Sequence, residues 1–126
     1  MPKLISNSGI YLFSEGPQHL YVGRSRNIRK RLARHCLPSA THRMAAFAFR
    51  LAREETGRLK ATYKTEGSRR KLMEDPVFRA AFESAKARIR EMDVRFVAEE
   101  DPLRQTVLEV YTAVALRTPY NDFDTH

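Results

Sequence analysis

Two tyrosines and a basic segment lie close together near the start of the chain. Tyr11 and Tyr21 are ten residues apart in "GIYLFSEGPQHLYVG", residues 9–23. The segment "GRSRNIRKRLARH", residues 23–35, is rich in arginine and lysine and contains no acidic residue. A tyrosine has an ordinary pKa of about 10, so it becomes a base at neutral pH only where positive charge lowers that pKa. The basic segment favours contact with phosphate, whereas the two tyrosines by themselves are explained most simply by packing.

Helical periodicity separates the basic residues into two groups. Asn27 is a good N-cap for a helix over residues 28–37, whose inner stripe recurs every four residues. Arg31 and His35 lie one turn apart beside that stripe, and a guanidinium fork fits the oxygens of a phosphate. His35 could bind the phosphate or help to transfer a proton, although a partly buried surface histidine is the alternative. The stripe itself is Ile28, Leu32 and Cys36, and Lys30 and Arg34 point further outward.

Glu109 stands out late in the chain, because it is the only charged residue between Arg104 and Arg117. A single carboxylate with a hydrated magnesium ion can supply Lewis-acid chemistry, since magnesium keeps several waters and often takes only one or two protein carboxylates. A solvated helix residue is the alternative for Glu109. Asn121 follows Pro119 and Tyr120. From this position it is interpreted equally well as an ordinary turn residue or as a residue of the site.

Three short segments read as strands. Residues 8–13, 19–23 and 93–100 alternate in side-chain character with the period of a strand, and the Gly16–Pro17 pair marks a turn. A hairpin centred near Gly16 predicts that Tyr11 lies roughly opposite Tyr21. Both tyrosines would then lie on the face opposite the aliphatic residues. Gly9 and Gly23 are expected to permit close backbone approach.

The remaining segments read as helices, with capping signals at several ends. The apolar spacing predicts main helices over 28–37, 41–56, 76–92 and 102–117, with a short helical piece at 69–74. Asp75 and Asp101 each precede a proline, which is the signature of an N-cap followed by proline at the first helical position, and Gly57 suits a helix end. The order β-β-α-α-α-β-α predicts an α+β fold, a small three-stranded antiparallel β-sheet flanked by helices.

Composition narrows the class of protein. The chain has 126 residues and a formal net charge of +8, which predicts one domain and favours nucleic acid as partner, although many small basic proteins have none. Cys36 is the single cysteine, so an internal disulfide is excluded. No apolar run approaches the ~20 residues of a membrane span, and the N-terminus lacks a signal-peptide core. We therefore expect a cytoplasmic protein without a membrane role.

These motifs resemble the GIY-YIG nuclease superfamily. "GIY" stands at residues 9–11 and "YVG" at 21–23. The superfamily adds an arginine on the helix after the second strand and often a histidine or tyrosine one turn later. It also needs a glutamate on a late helix, and an asparagine further on in a "P-Y-N" context. All of these elements occur here in the same order, and the matching residues are Arg31, His35, Glu109 and Asn121.

The resemblance implies a catalytic role for each matching residue. One of the tyrosines, Tyr11 or Tyr21, would position or deprotonate the attacking water, and which of them does so is left open. Arg31 would bind the phosphate with help from His35. Glu109 would hold Mg²⁺ or Mn²⁺.

One position departs from the superfamily pattern. Arg24 follows the second motif where lysine is common, and arginine keeps the charge but does not readily release a proton. Asn121 is expected to position the backbone or the site rather than to bind metal. Residues 38–92 are expected to be a helical insertion in a single domain spanning 1–126, with solvated surface or extra substrate contact as its roles. Substrate contacts are expected from Gly23, Arg24, Arg26, Lys30 and Arg34.

The leading hypothesis is a divalent-metal-dependent endonuclease that hydrolyses phosphodiester bonds. Water would attack in one step, without a covalent intermediate, and by family analogy the products carry 5′-phosphate and 3′-hydroxyl ends. DNA is expected as substrate rather than RNA. The alternative is a non-catalytic nucleic-acid-binding module on the same fold, against which the complete residue set argues. A basic interaction protein without a nucleic-acid role is a third hypothesis, which the basic segment disfavours.

Overall fold

The computed structural model describes residues 8–41, 45–57 and 65–121. The chain divides into two compact units, the first formed by Met1–Leu32 with Met92–His126 and the second by Ala33–Glu91. Within the described ranges, no helix is long and apolar enough to cross a membrane.

The first unit contains a three-stranded antiparallel sheet. The strands are β1 (Gly9–Glu15), β2 (Gln18–Ser25) and β3 (Asp93–Ala98), arranged in the order β2-β1-β3. Gly16, at φ 55°, makes the turn between β1 and β2 in the left-handed region that glycine adopts without strain. The predicted α+β class and three-stranded antiparallel sheet are confirmed.

The hairpin register differs from the prediction by two residues. Tyr11 pairs with Gly23 and Phe13 pairs with Tyr21, with an irregularity between Phe13 and Ser14. The prediction that Tyr11 lies opposite Tyr21 is therefore wrong. Because side chains alternate with a period of two, a shift of two residues leaves both tyrosines on a common face. One residue of the shift comes from the turn, which is centred between Gly16 and Pro17, since Glu15 pairs with Gln18. The other comes from a bulge, in which β2 has Leu20 as an extra residue between the partners of Phe13 and Ser14.

Helix α5 (Pro102–Leu116) covers the opposite face of the sheet. Ala113 packs with Ile10 and Val22 in one buried cluster, with Leu12 and Leu108 against it. The start of the helix follows the predicted signal, because the side chain of Asp101 accepts a hydrogen bond from the backbone N–H of Leu103. The end of the helix places Arg117 in the left-handed region at φ 52°, and this turn redirects the chain toward Asn121.

Helix α1 (Ile28–Cys36) begins in the first unit and ends in the second. The Asn27 side chain accepts a hydrogen bond from the backbone N–H of Lys30 at 3.1 Å, which confirms the predicted cap.

The second unit is helical, and its third helix is longer than the short helical piece that was predicted at residues 69–74 and left out of the predicted order. It comprises the end of α1, α2 (Ala46–Glu55), α3 (Thr65–Glu74) and α4 (Pro76–Arg90). Helix α2 begins later than the predicted residue 41, and residues 42–44 of that prediction lie outside the described residues. Four helices therefore separate β2 from β3, where the predicted order counted three.

Aromatic packing joins α2 to α4 in the second unit. The Phe49 ring lies 5.1 Å from the ring of Phe78 and 6.3 Å from that of Phe82, measured between centroids. Asp75 caps α4 as predicted, with its side chain accepting from Val77 N–H. The spacing of aromatic residues in these helices therefore serves core packing.

Candidate active site

The first feature of the candidate site is the placement of Tyr11 over a glycine. Tyr11 is only 1% exposed and pairs across the hairpin with Gly23. A Cβ added at Gly23 would stand 2.3 Å from both the Cζ and the Oη atom of Tyr11. Glycine at the end of "YVG" therefore leaves the space that the tyrosine of "GIY" occupies. The expected close approach at this glycine involves a side chain, whereas at Gly9 it involves the backbone of β3.

Charged and phenolic groups converge on Tyr11. The Arg31 side chain hydrogen-bonds to the phenol, and Tyr21 and Glu109 are close enough to act on it electrostatically. Burial and the neighbouring Tyr21 raise the pKa of Tyr11 above its ordinary value of 10.0, and Arg31 opposes this without reversing it. Arg31 therefore acts on the pKa of Tyr11 in the expected direction, but burial outweighs it. At neutral pH Tyr11 is a protonated phenol.

Glu109 lies on α5 and forms an ion pair with Arg24 of β2. The Oε1 atom of Glu109 is 3.4 Å from the Nε atom of Arg24, and the two side chains are 18% and 44% exposed, respectively. Burial raises the pKa of Glu109, and the charge and hydrogen bonding of Arg24 act in the opposite direction. The arginine that replaces the common lysine thus stabilises the ionised form of the glutamate.

Asn121 binds the edge of β2 through its side-chain amide. Its Oδ1 atom accepts from Val22 N–H at 2.8 Å, and its Nδ2 atom donates to the Val22 carbonyl at 2.6 Å. The amide therefore copies the two bonds of a neighbouring strand residue. The backbone N–H of Tyr120 also donates to the Leu20 carbonyl at 3.2 Å. This segment fixes β2 beside the two motif residues Tyr21 and Gly23.

Thr118 was not identified from the sequence, although it completes this contact. Its hydroxyl donates to Oδ1 of Asn121 at 2.7 Å, and the residue is 7% exposed. The orientation of the amide is fixed by Val22, because its N–H requires the acceptor Oδ1 and its carbonyl requires the donor Nδ2. Thr118 adds a second donor to Oδ1. Thr118 precedes Asn121 by three residues in "TPYN", and this short spacing is the sequence feature from which the contact could have been predicted.

The expected substrate-binding residues differ in exposure. Gly23 is buried beneath Tyr11, whereas the basic residues of the same segment are exposed. The exposed group on β2, α1 and the turn between them consists of Arg24, Arg26, Lys30 and Arg34. Their predicted contact with substrate stays a prediction.

His35 belongs to the second unit, as does Arg34. The His35 side chain is fully buried, at 0% exposed. Its ring meets that of Phe47 edge-on, with 6.4 Å between centroids. The structure thus gives His35 a packing contact, and its role in proton transfer stays a prediction. The residues gathered within the first unit are Tyr11, Tyr21, Arg24, Arg31, Glu109 and Asn121.

A second residue missed from the sequence is Lys86, on the inner side of α4. It is 1% exposed, and its ammonium group donates to the carbonyls of Pro38 and Ala40 at 2.9 and 2.8 Å. It also pairs with Glu83 at 3.1 Å. Lys86 recurs four residues after Phe82 on the apolar stripe, which was the available signal. Its ammonium group holds the turn that follows α1.

The donor groups suit a hydrated metal ion rather than a closed protein cage. No group of three or more His, Cys, Asp or Glu side chains with metal-binding geometry occurs among residues 8–41, 45–57 and 65–121. The partly buried carboxylate of Glu109 is the ligand that the gathered residues offer. Magnesium is commonly held by one or two carboxylates with the rest of its shell filled by water. The site therefore fits such an ion with Glu109 as its protein ligand.

Comparison with known proteins agrees with this geometry. A family model described as the GIY-YIG catalytic domain matches residues 7–74, just over half of the chain. The chain matches no curated protein and no solved structure. The matched segment carries Tyr11, Gly23 and Arg31, whereas Glu109 and Asn121 lie beyond it and are connected to the motifs by the contacts described above. The chain therefore belongs to the GIY-YIG family and carries its nuclease-type catalytic domain.

Proposed function

We propose that this protein is an endonuclease that uses a divalent metal ion to hydrolyse phosphodiester bonds of DNA. The observation that supports this most directly is the convergence of Arg31, Tyr21 and Glu109 on the buried phenol of Tyr11. Hydrolysis needs a group that binds the phosphate, a positioned water, and stabilisation of the charge that develops on the leaving oxygen. The gathered side chains can supply each of these.

Arg31 binds the phosphate in this mechanism. Its guanidinium group presents several donors in a fixed plane, which suits two non-bridging phosphate oxygens. The hydrogen bond to Tyr11 holds one part of this group in place. A donor that is already oriented costs less reorganisation when the charge on the phosphate rises. Tyr11 therefore acts on the substrate through Arg31.

Tyr21 is the better candidate for contact with the attacking water. It is partly exposed, whereas Tyr11 is almost completely buried. The raised pKa of Tyr11 keeps its proton in place, so this residue cannot accept a proton from water near neutral pH. The two motif tyrosines thus have different roles: Tyr11 positions Arg31, and Tyr21 positions the water.

Glu109 would hold the metal ion, which when bound supplies Lewis-acid stabilisation of the leaving 3′ oxygen. Burial makes this carboxylate harder to ionise, and Arg24 offsets part of that cost. Arg24 is also half-exposed at the end of β2, where it can contact a phosphate next to the one that is cleaved. Arg24 then serves both the carboxylate and the substrate.

A nucleic-acid substrate is proposed because the site adjoins an exposed basic surface, and the choice of DNA over RNA rests on the likeness to the family. Arg26, Arg29 and Lys30 follow β2 and are exposed at the start of α1. Lysine and arginine contacts to phosphates supply affinity that does not depend on sequence and that weakens as salt increases.

The deciding experiment is cleavage of labelled single-stranded, duplex and branched DNA with Mg²⁺ or Mn²⁺, compared with matched RNA. Glu109→Ala and Arg31→Ala should each lose at least ~100-fold in rate, the scale for losing one central electrostatic contact. Matched controls are Glu100→Ala and Arg95→Ala, which remove exposed residues of the same charge and should cleave within a few fold of wild type. Arg95 lies on β3, at the opposite edge of the sheet from β2. Wild-type rates in Glu109→Ala would reject the metal assignment. Binding without cleavage on every substrate would instead favour a non-catalytic nucleic-acid-binding module.

A further inference from the structure

Helix α5 carries an exposed apolar stripe on the side that faces away from the sheet. The stripe, called here the outer α5 stripe, is formed by large side chains that are 40–71% exposed. The sheet-facing side of the same helix is already occupied, since Ala113 and Leu108 pack against Ile10 and Val22. Contiguous exposed apolar side chains commonly mark an interaction surface. The members of the stripe are Leu103, Val107, Val110, Tyr111 and Val114.

The spacing of the stripe is that of a helix-pairing seam. Leu103, Val107, Val110 and Val114 follow one another at intervals of four, three and four residues, which is the a/d pattern by which two helices pack. This pattern reads the same in both directions along the helix. An identical helix running antiparallel would therefore place Leu103 against Val114 and Val107 against Val110, in register. A surface that complements itself in this way is the requirement for a twofold interface.

The charges at the two ends of the stripe fit the same pairing. Exposed Glu100 precedes α5, and exposed Arg117 follows it. In the antiparallel register that aligns the stripe, Arg117 of one copy lies beside Glu100 of the other at both ends. Antiparallel helices also place their opposite dipole ends together. A parallel arrangement would instead place like charges together.

We propose that the outer α5 stripe is a homodimer interface, in which two copies of this chain pair antiparallel through α5 about a twofold axis. The exposed parts of the five side chains amount to roughly 500 Å² per copy, so the dimer buries about 1,000 Å², near the lower limit for a specific interface. The association is accordingly weak, in the micromolar range. Glu109 lies on the opposite side of α5, so each copy keeps its own candidate site.

The test is sedimentation velocity on the full chain, from about 1 µM to about 200 µM, a range that brackets a micromolar dissociation constant. Val107→Glu should weaken the dimer by at least ~100-fold, because two carboxylates would meet at the centre of the interface. The matched control is Val77→Glu, which changes a valine of α4 that is 69% exposed, and this variant should dimerise as wild type does. Circular dichroism on both variants establishes that they are folded.

Exchanging the charges at the two ends of the outer α5 stripe provides a second test, which leaves the apolar side chains unchanged. Arg117→Glu should weaken the dimer, because it places glutamate beside Glu100 of the other copy. Adding Glu100→Arg restores opposite charges and should restore the affinity. A chain that stays monomeric at the highest concentration overturns the proposal. So does a dimer that Val107→Glu leaves unchanged, or one whose affinity the double exchange does not restore.

Discussion

Replacing Gly23 by alanine should impair the site without removing any group that takes part in the chemistry. The added Cβ would stand 2.3 Å from the Cζ and Oη atoms of Tyr11, more than ~1 Å inside the usual carbon contact distance of about 3.5 Å. Tyr11 is 1% exposed and hydrogen-bonded to Arg31, so its ring can yield only if its neighbours shift. Overpacking of this kind costs about 1–3 kcal/mol of stability. A reacting group displaced by ~1 Å loses on the order of 100-fold in rate.

Urea unfolding and single-turnover cleavage of DNA would measure the two effects of Gly23→Ala separately. The matched control is Gly16→Ala, where an added Cβ meets nothing within 4 Å but the backbone lies at φ 55°. That control should lose about 1 kcal/mol through backbone strain and keep its cleavage rate. If Gly23→Ala were as stable and as active as wild type, the inferred contact between the Tyr11 ring and this glycine would be refuted.

Three further predictions concern the same unit. Asn121→Asp replaces the amide donor that bonds the Val22 carbonyl with a carboxylate, so denaturant unfolding should show a loss of ~1–3 kcal/mol; an unchanged midpoint contradicts this. Burial raises the pKa of Tyr11 above 10.0, so the native protein keeps this proton where the unfolded chain releases it, and stability falls as pH rises past that value. The free energy of unfolding of Tyr11→Phe should therefore fall less than that of wild type between about pH 9 and about pH 11. If the two proteins lost stability equally over this range, the raised pKa of Tyr11 would be rejected. Arg117→Gly relieves a left-handed arginine at φ 52° and should raise the free energy of unfolding by up to about 1 kcal/mol when denaturation is measured at about 1 µM, where a micromolar dimer is largely dissociated; a lower free energy of unfolding would show that the arginine makes a compensating contact within its own chain.

The features predicted correctly from the sequence are those that depend on short stretches of chain. The caps at Asn27, Asp75 and Asp101 were recognised because a cap bonds to a backbone group only two or three residues away. The prediction that Tyr11 and Tyr21 share a face of the sheet was correct although the predicted register was wrong, because the register differed by two residues and strand side chains alternate with a period of two.

The features that were missed depend on distant contacts or on weak local patterns. The bulge that shifts the hairpin register arises where strands pair, and the polar sequence of α3, "TEGSRRKLME", gives little apolar periodicity to indicate a ten-residue helix. The burial that raises the pKa of Tyr11 was not foreseen, because basic residues are visible in the sequence and the depth of a side chain is not. The bonds of Asn121 to Val22 span 99 residues of chain, so the motif indicated the residue but not its partner.

The contact of Asn121 with β2 also bears on solubility. β2 is an edge strand, and the unpaired N–H and C=O groups of such an edge invite another chain to add as a further strand. Here the Leu20 carbonyl and both backbone groups of Val22 are already engaged by the segment ending at Asn121. The same amide that fixes the motif therefore shields this edge of the sheet from pairing with another chain. Removing the segment that ends at Asn121 would expose the unpaired edge of β2 as well as disturb the site.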